Sequence, residues 1–418
     1  MNSLAPVERN LILDGRGDPF TIKSLGGILA EVSTINGFPL QLTPRNTELL
    51  HYYLRFVAPN LVSIDGESQP IVFQKEVLSW QLQSPLMPNI GILMASTIQS
   101  LDRGIELDKN PESLAQKAKV LVFINQFLSG ATKQGFDLIA PEAIKCVINL
   151  WFWGVGDTMR AHSRGIREML RLRGGIRGLG DPVGECIIIL TDYEIACCFE
   201  EDLYWQDGDP VKDQTMPIPT CWPEGFDSPL IPSSITFEEN HYSLNVSHTA
   251  AKILDDVRFL ATSITSDCSN RDSMLKTKST AYWLYNRLKA MPRLPSEQSS
   301  TPKSELIQET IRLAALVYSG SIMSLTLFSQ FLSPGILEDL YSTMMKVSLS
   351  TWKYIPGIFL WVMLILCPST ANDRRGRFIR RKMAVAGLSI GFEDFPLAIS
   401  YLRGFWLVQR WIVENGEV

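Results

Sequence analysis

Between Trp151 and Gly180 the chain reads WFWGVGDTMRAHSRGIREMLRLRGGIRGLG, and the glycines at both ends dictate what this stretch can become. Gly154 and Gly156 interrupt an apolar run, and Asp157 then stands where a side chain can accept hydrogen bonds from the free amides of a new helix. Met159, His162, Ile166, Met169 or Leu170, and Arg173 follow at steps of three and four, the spacing of one helix face. Arg160, Arg164, Arg167 and Arg171 form a second stripe about 100° away, so one face packs and its flank is cationic. Gly174 and Gly175 supply the left-handed residue that ends a helix of roughly 17 residues.

The rest of the chain repeats this grammar of short periodic runs closed by Pro, Gly or Asn. Thr43 as cap and Pro44 at the first position start a helix with Leu49, Leu50, Tyr53, Leu54 and Val57 on its apolar side, and Pro59 is expected to stop it. Helical patterns follow at Phe73 to Gln83, Asn89 to Leu101, Pro111 to Leu128 and Pro141 to Trp153. The β-branched run Cys186 to Leu190 leaves a short strand open and is read as the start of another helix. From Asp207 to Ser247 six prolines (Pro210, Pro217, Pro219, Pro223, Pro229 and Pro232) leave few uninterrupted turns, so a long loop is expected there. Periodicity resumes at Thr249 to Thr265 and at Ser279 to Met291. Thr301 and Pro302 then repeat the Thr43–Pro44 arrangement ahead of a core stripe of Ile307, Ile311, Ala314, Tyr318, Ile322 and Leu325. A helix at Leu337 to Leu349, an apolar one near Ile355, a basic one from Asp373 and a last one at Phe395 to Val413 complete the chain. No alternating strand pattern competes, which predicts an all-α, irregular multi-helix array with long Pro-rich loops. Residues 1 to 37 lack periodicity and are expected to be an extended or partly disordered lead to the helical region, 38 to 418.

The hydrophobic fraction of 45% in 418 residues suffices for a large core, and a formal charge of −5 argues against a chain that coats nucleic acid. Seven scattered cysteines, with no Cys-x-x-Cys pair, fit a reducing compartment. The N-terminus has no secretory pattern. The apolar run Ile355 to Cys367 is shorter than the ~20 residues of a membrane span and reads as a buried core helix.

With these elements in hand, AHSRGIREMLRLRGGIRGLG resembles the signature helix of the regulatory domain of fungal zinc-cluster transcription factors. LTPRNTELLHYYLRFVAPNLVSIDG resembles that family's first helix, IRLAALVYSGSI its central one, and IPGIFLWVMLILC with the following basic helix its C-terminal part. The resemblance covers roughly residues 38 to 412. It implies a nuclear, non-enzymatic regulator whose partners are the transcriptional machinery or another regulator, with a small-molecule effector left open and no cofactor required. The family's DNA reader is a six-cysteine cluster of closely spaced pairs, whereas the first cysteine here is Cys146. Specific DNA binding is therefore not expected of this chain alone. The alternative is an all-α small-molecule-binding protein or an enzyme of unknown reaction.

Candidate sites are few. His51, His162, His241 and His248 show no metal-ligand spacing with each other or with the cysteines, and phosphate-loop, nucleophile-elbow and zinc-hydrolase motifs are absent. Glu200, Glu201 and Asp202 read as a solvated helix end. Arg374, Arg375, Arg377, Arg380, Arg381 and Lys382 are the densest basic cluster, the pattern of a nuclear-import signal or of a solvated helix face. Glu168 is placed to pair with Arg164 or Arg171.

Overall fold

The computed structural model describes residues 43–67, 70, 73, 87–105, 109–129, 156–172, 174–179, 182–205, 225–266, 271–293, 302–370 and 374–416. Every regular element among them is helical, as the all-α reading requires. In order the helices are α1 (Pro44–Tyr52), α2 (Pro59–Val62), α3 (Met87–Asp102), α4 (Pro111–Ser129), α5 (Gly156–Leu172) and α6 (Pro182–Phe199). There follow α7 (Phe237–Asn240), α8 (His248–Thr265), α9 (Arg271–Ala290), α10 (Lys303–Ser324), α11 (Phe328–Phe331), α12 (Pro334–Met345) and α13 (Leu349–Lys353). The last three are α14 (Pro356–Leu366), α15 (Arg374–Gly391) and α16 (Phe395–Gly416). The expectations for residues 1 to 37, for Pro141 to Trp153 and for nearly all of Phe73 to Gln83 lie outside the described residues.

Thr43 caps α1 by accepting from the Asn46 amide (3.2 Å), and Pro44 occupies the first turn. Pro59, however, does not stop the helix. Residues Tyr53–Val57 wind as a π turn in which Ala58 N bonds Tyr53 O (2.8 Å), and this wider turn carries the chain past the proline into α2. Two other starts differ by one or two residues. Helix α5 begins at Gly156, so Asp157 falls in its first turn, and Pro302 stands at the cap of α10 without a side-chain bond. The stripe of α10 is buried at Ile307, Ile311, Ala314, Tyr318 and Ile322, while half-buried Leu325 closes the helix in the left-handed region (φ 52).

The core centres on α14, which is apolar on every side because every side is covered. All 11 of its residues are buried, against α10, α13, α15 and α16. At roughly 1.5 Å per residue it is about half the thickness of a bilayer. No helix among the described residues is long and apolar enough to cross a membrane. Around this centre α6 packs on α15 and α16, α8 on α10 and α16, and α9 on α10, while α1, α3 and α4 pack in succession and α2 joins them to α15.

The described part of the Pro-rich stretch, 225–247, is pinned to the core. Asp227, Ser228 and Leu230 are buried, and a reciprocal Thr236–Glu239 cap starts the single turn of α7, which packs on α8. The backbone of Phe226 and Asp227 lies so close to Gly357 that a Cβ there would sit 2.6 Å from either carbonyl oxygen. Arg258 of α8 holds the stretch from the other side: it donates to Asp227 Oδ1 (2.5 Å), Ser228 O (3.2 Å) and Ile235 O (2.9 Å), with its guanidinium 4.0 Å over the Phe237 ring. Burial raises the Asp227 pKa and lowers that of Arg258, a desolvation cost that their mutual attraction offsets only in part.

Candidate functional site

Helix α5 carries its two faces as the spacing dictates where side chains are described. Ile166 and Leu170 are buried, Met169 is half-buried, and Arg164 and Arg167 are exposed. Glu168 chooses Arg171, with Nη2 to Oε1 at 2.6 Å; both are fully solvated, so the pair adds little to stability. Gly174 and Gly175 adopt positive φ (84 and 96), and Gly175 N returns to Leu170 O (2.9 Å), closing the helix. The side chains of Met159, Arg160, His162 and Arg173 lie outside the described residues.

The basic cluster on α15 does not form one exposed face, which corrects the reading of all six residues as a single surface signal. The described side chains divide. Arg377 is exposed, and Arg375 pairs with Glu338 and lies 5.8 Å from the Tyr341 ring centre. Arg380 and Arg381 are half-buried, and burial lowers the Arg381 pKa despite the nearby Asp102 and Tyr52. Lys382 is 1% exposed and donates to Ile64 O (2.7 Å). Desolvation, with repulsion from Arg381 second, pulls its pKa down to about 7, against a smaller upward pull from Asp65. The reason is geometric: consecutive residues of a helix diverge by about 100°, so a run of cations cannot all face water on a helix packed on several sides. The side chain of Arg374 lies outside the described residues.

Lys382 is one corner of a polar seam between α15 and the chain leaving α2. Asp65, beside Ile64, accepts from Lys353 Nζ (2.9 Å), Ser63 Oγ (2.8 Å) and Glu67 N (3.1 Å). Burial works to raise its carboxyl, but these donors outweigh it and hold the pKa below the ordinary value.

A second polar centre lies where α6 meets α15 and the end of α14. Glu194 is 1% exposed, its Oε1 has no hydrogen-bond partner, and a Cβ on Gly387 would lie 2.6 Å from that oxygen. Burial, with Cys198 nearby, raises its pKa well above the ordinary value, which favours the neutral acid. One turn on, Cys198 Sγ lies 3.2 Å from Cys367 Sγ, and Cys197 Sγ donates to Leu402 O (3.5 Å). Burial also raises the thiols of Cys197 and Cys367 well above their usual range, so neither supplies a thiolate near neutral pH. These sulfurs act as small apolar packing groups.

The remaining sequence candidates fall in separate places. Glu200 is half-buried and bonds Ser329, and burial raises its pKa, which corrects the reading of a wholly solvated helix end. Arg410 clamps this end by donating to Asp202 Oδ1 (2.9 Å) and Glu200 O (2.5 Å), and Trp406 Nε1 donates to Glu201 O (3.1 Å). His241 and His248 have ring centres 5.5 Å apart, and His248 Nε2 meets Glu238 Oε1 at 2.8 Å. Among the described residues no group of three or more His, Cys, Asp or Glu could hold a metal ion.

Sequence reasoning missed Glu194, Lys382 as a buried group, and the Arg258–Asp227 clip. For Glu194 a signal was present: two carboxylates, Asp192 and Glu194, stand within the otherwise apolar run CIIILTDYEIACCF. Fold and site together define a class, an all-α helical array with buried polar seams and cationic outer faces. No family model, curated protein or solved structure matches the chain.

Proposed function

We propose that this chain is a transcriptional regulator related to fungal zinc-cluster factors, acting in the nucleus through its helical array and not by reading specific DNA itself. The observation that supports this reading is the order and packing of the segments that resemble that family's regulatory domain. The first of them ends in α2, which lies on α15; the apolar α14 lies on both α15 and the central α10. The signature segment forms α5, with Arg164 and Arg167 on its outer face. The formal charge of −5, and the absence from residues 1 to 418 of a closely spaced cysteine cluster, argue against sequence readout by this chain.

The test is rapid depletion of the protein in its host followed by nascent-transcript sequencing. Altered synthesis from a defined gene set is expected. Unchanged transcription with a changed metabolite pool would overturn the proposal in favour of an all-α small-molecule-binding protein or enzyme. For localisation, Arg375→Ala with Arg377→Ala alters the outer part of the α15 cluster without touching Lys382. Loss of nuclear accumulation is expected; unchanged accumulation would remove the cluster as the import signal.

A further inference from the structure

Helices α8 and α9 are joined by a short connection and pack on each other, so they run antiparallel as a hairpin whose inner face lies on α10. The outer face is unusually apolar. On α9, Leu275 (55% exposed), Tyr282 (59%) and Trp283 (53%) recur at steps of seven and eight, with exposed Ser279 and Asn286 between and beyond them. On α8, Phe259 is 59% exposed. Arg287 ties the two helices by its ion pair with Asp256 and lies 5.2 Å from the Trp283 ring centre. Phe259 is one turn beyond Asp256, and antiparallel packing brings it level with Trp283. Four large apolar side chains thus share the outer surface of one hairpin, and exposure on this scale marks an interaction surface.

The charge around the stripe selects the occupant. Helix α9 carries five cations (Arg271, Lys276, Lys278, Arg287 and Lys289) against one anion (Asp272), within a chain whose formal charge is −5. Lys276 and Lys289 are exposed on either flank of the stripe. A second copy would set like charges against each other. A single-stranded nucleic acid needs free aromatic faces for stacking, whereas the Arg287 guanidinium already lies over Trp283. A membrane surface is a poor match for a stripe interleaved with Ser279 and Asn286. We propose that the outer face of the α8–α9 hairpin docks an acidic amphipathic helix of a partner protein. Its apolar side chains would lie on Leu275, Tyr282, Trp283 and Phe259, and its carboxylates would meet Lys276 and Lys289. This goes beyond the regulator reading and does not depend on it.

The experiment uses the full chain and fluorescence anisotropy of a labelled helical peptide of about 16 residues, with Leu and Phe at i, i+3, i+4 and i+7 and Glu or Asp elsewhere. A control keeps the apolar positions and replaces every acid by Lys. The acidic peptide should bind at least about tenfold tighter than the control. The surface variant Leu275→Ser/Tyr282→Ser should lose about tenfold in affinity, and Lys276→Glu/Lys289→Glu should reverse the preference between the two peptides. All four positions are exposed, so circular dichroism and thermal melting should stay unchanged. Equal affinity for the two peptides, or no binding of the acidic one, would overturn the proposal. So would tighter, variant-sensitive binding of oligothymidylate or phosphatidylserine vesicles, or self-association in sedimentation that Leu275→Ser/Tyr282→Ser abolishes.

Discussion

Replacing Lys382 by Met removes an ionisable group from one of the tightest places in the fold. At 1% exposure the ammonium loses its hydration and gains one described hydrogen bond, to Ile64 O (2.7 Å), while Arg381 repels it. Its pKa falls from 10.5 in the unfolded chain to about 7 in the folded one. Below pH 7 both states hold the proton, and the folded state bears the full cost of the charge. Above 10.5 neither holds it. Between these limits unfolding takes up a proton, so raising the pH stabilises the folded state by up to about 1.4 kcal/mol per unit, roughly 4–5 kcal/mol in all. The lost bond to Ile64 O opposes the substitution by only about 0.5–1.5 kcal/mol. Glu194, with a raised pKa, has the opposite slope above its unfolded value, so the informative quantity is the difference between wild type and Lys382→Met. Urea unfolding from pH 6 to 10 should show the variant more stable near neutrality, with wild type gaining on it steadily from pH 7 upward. Parallel curves would refute the reasoning and mean that Lys382 reaches water.

Other substitutions probe separate links. Ile166→Asp puts a carboxylate at a fully buried position of α5 and should cost several kcal/mol of a total near 5–15, whereas exposed Arg164→Ala should cost under about 1 kcal/mol; equal damage in thermal melts would show the faces reversed. Gly387→Ala forces a Cβ against Glu194 and should cost about 1–3 kcal/mol, less in a Glu194→Ala background; a double-mutant cycle with no coupling would place the two residues apart. Arg258→Met strands Asp227 and should cost about 3–5 kcal/mol, with faster proteolysis in 225–235; an unchanged cleavage rate would show that the clip does not hold this stretch.

The pattern of helices was legible wherever one face is wet and the other dry. The stripe of the described part of α5 and the caps around Thr43 and Gly174 follow from local chemistry alone, whereas α10 is buried all round from Glu309 to Ile322 and its apolar stripe marks only part of what it packs. The Pro59 reading failed because a proline removes only one particular bond, and a π turn reroutes the bonding around it. The packing of the 225–247 stretch was not legible because proline content reports only the lack of helix; the Arg258 clip spans some thirty positions in sequence and leaves no local trace. Residue type alone placed the α15 cations in water, and only the packing of α15 against α2 and α14 turns Lys382 inward. The exposed face of α9 was hidden by the same logic, since Leu275, Tyr282 and Trp283 look like core residues until the opposite stripe of Thr277, Ala281, Leu284 and Leu288 is seen to be the buried one.

The regulator reading is tested most directly by tethering. The full chain is fused to a heterologous DNA-binding domain and placed upstream of a reporter promoter in a fungal host, beside the DNA-binding domain alone and the Ile166→Asp fusion at matched protein levels. The account predicts that the wild-type fusion raises or lowers reporter transcription and that Ile166→Asp loses the effect while still occupying the promoter by immunoprecipitation. A wild-type fusion that occupies the promoter and leaves transcription equal to that of the DNA-binding domain alone would contradict it.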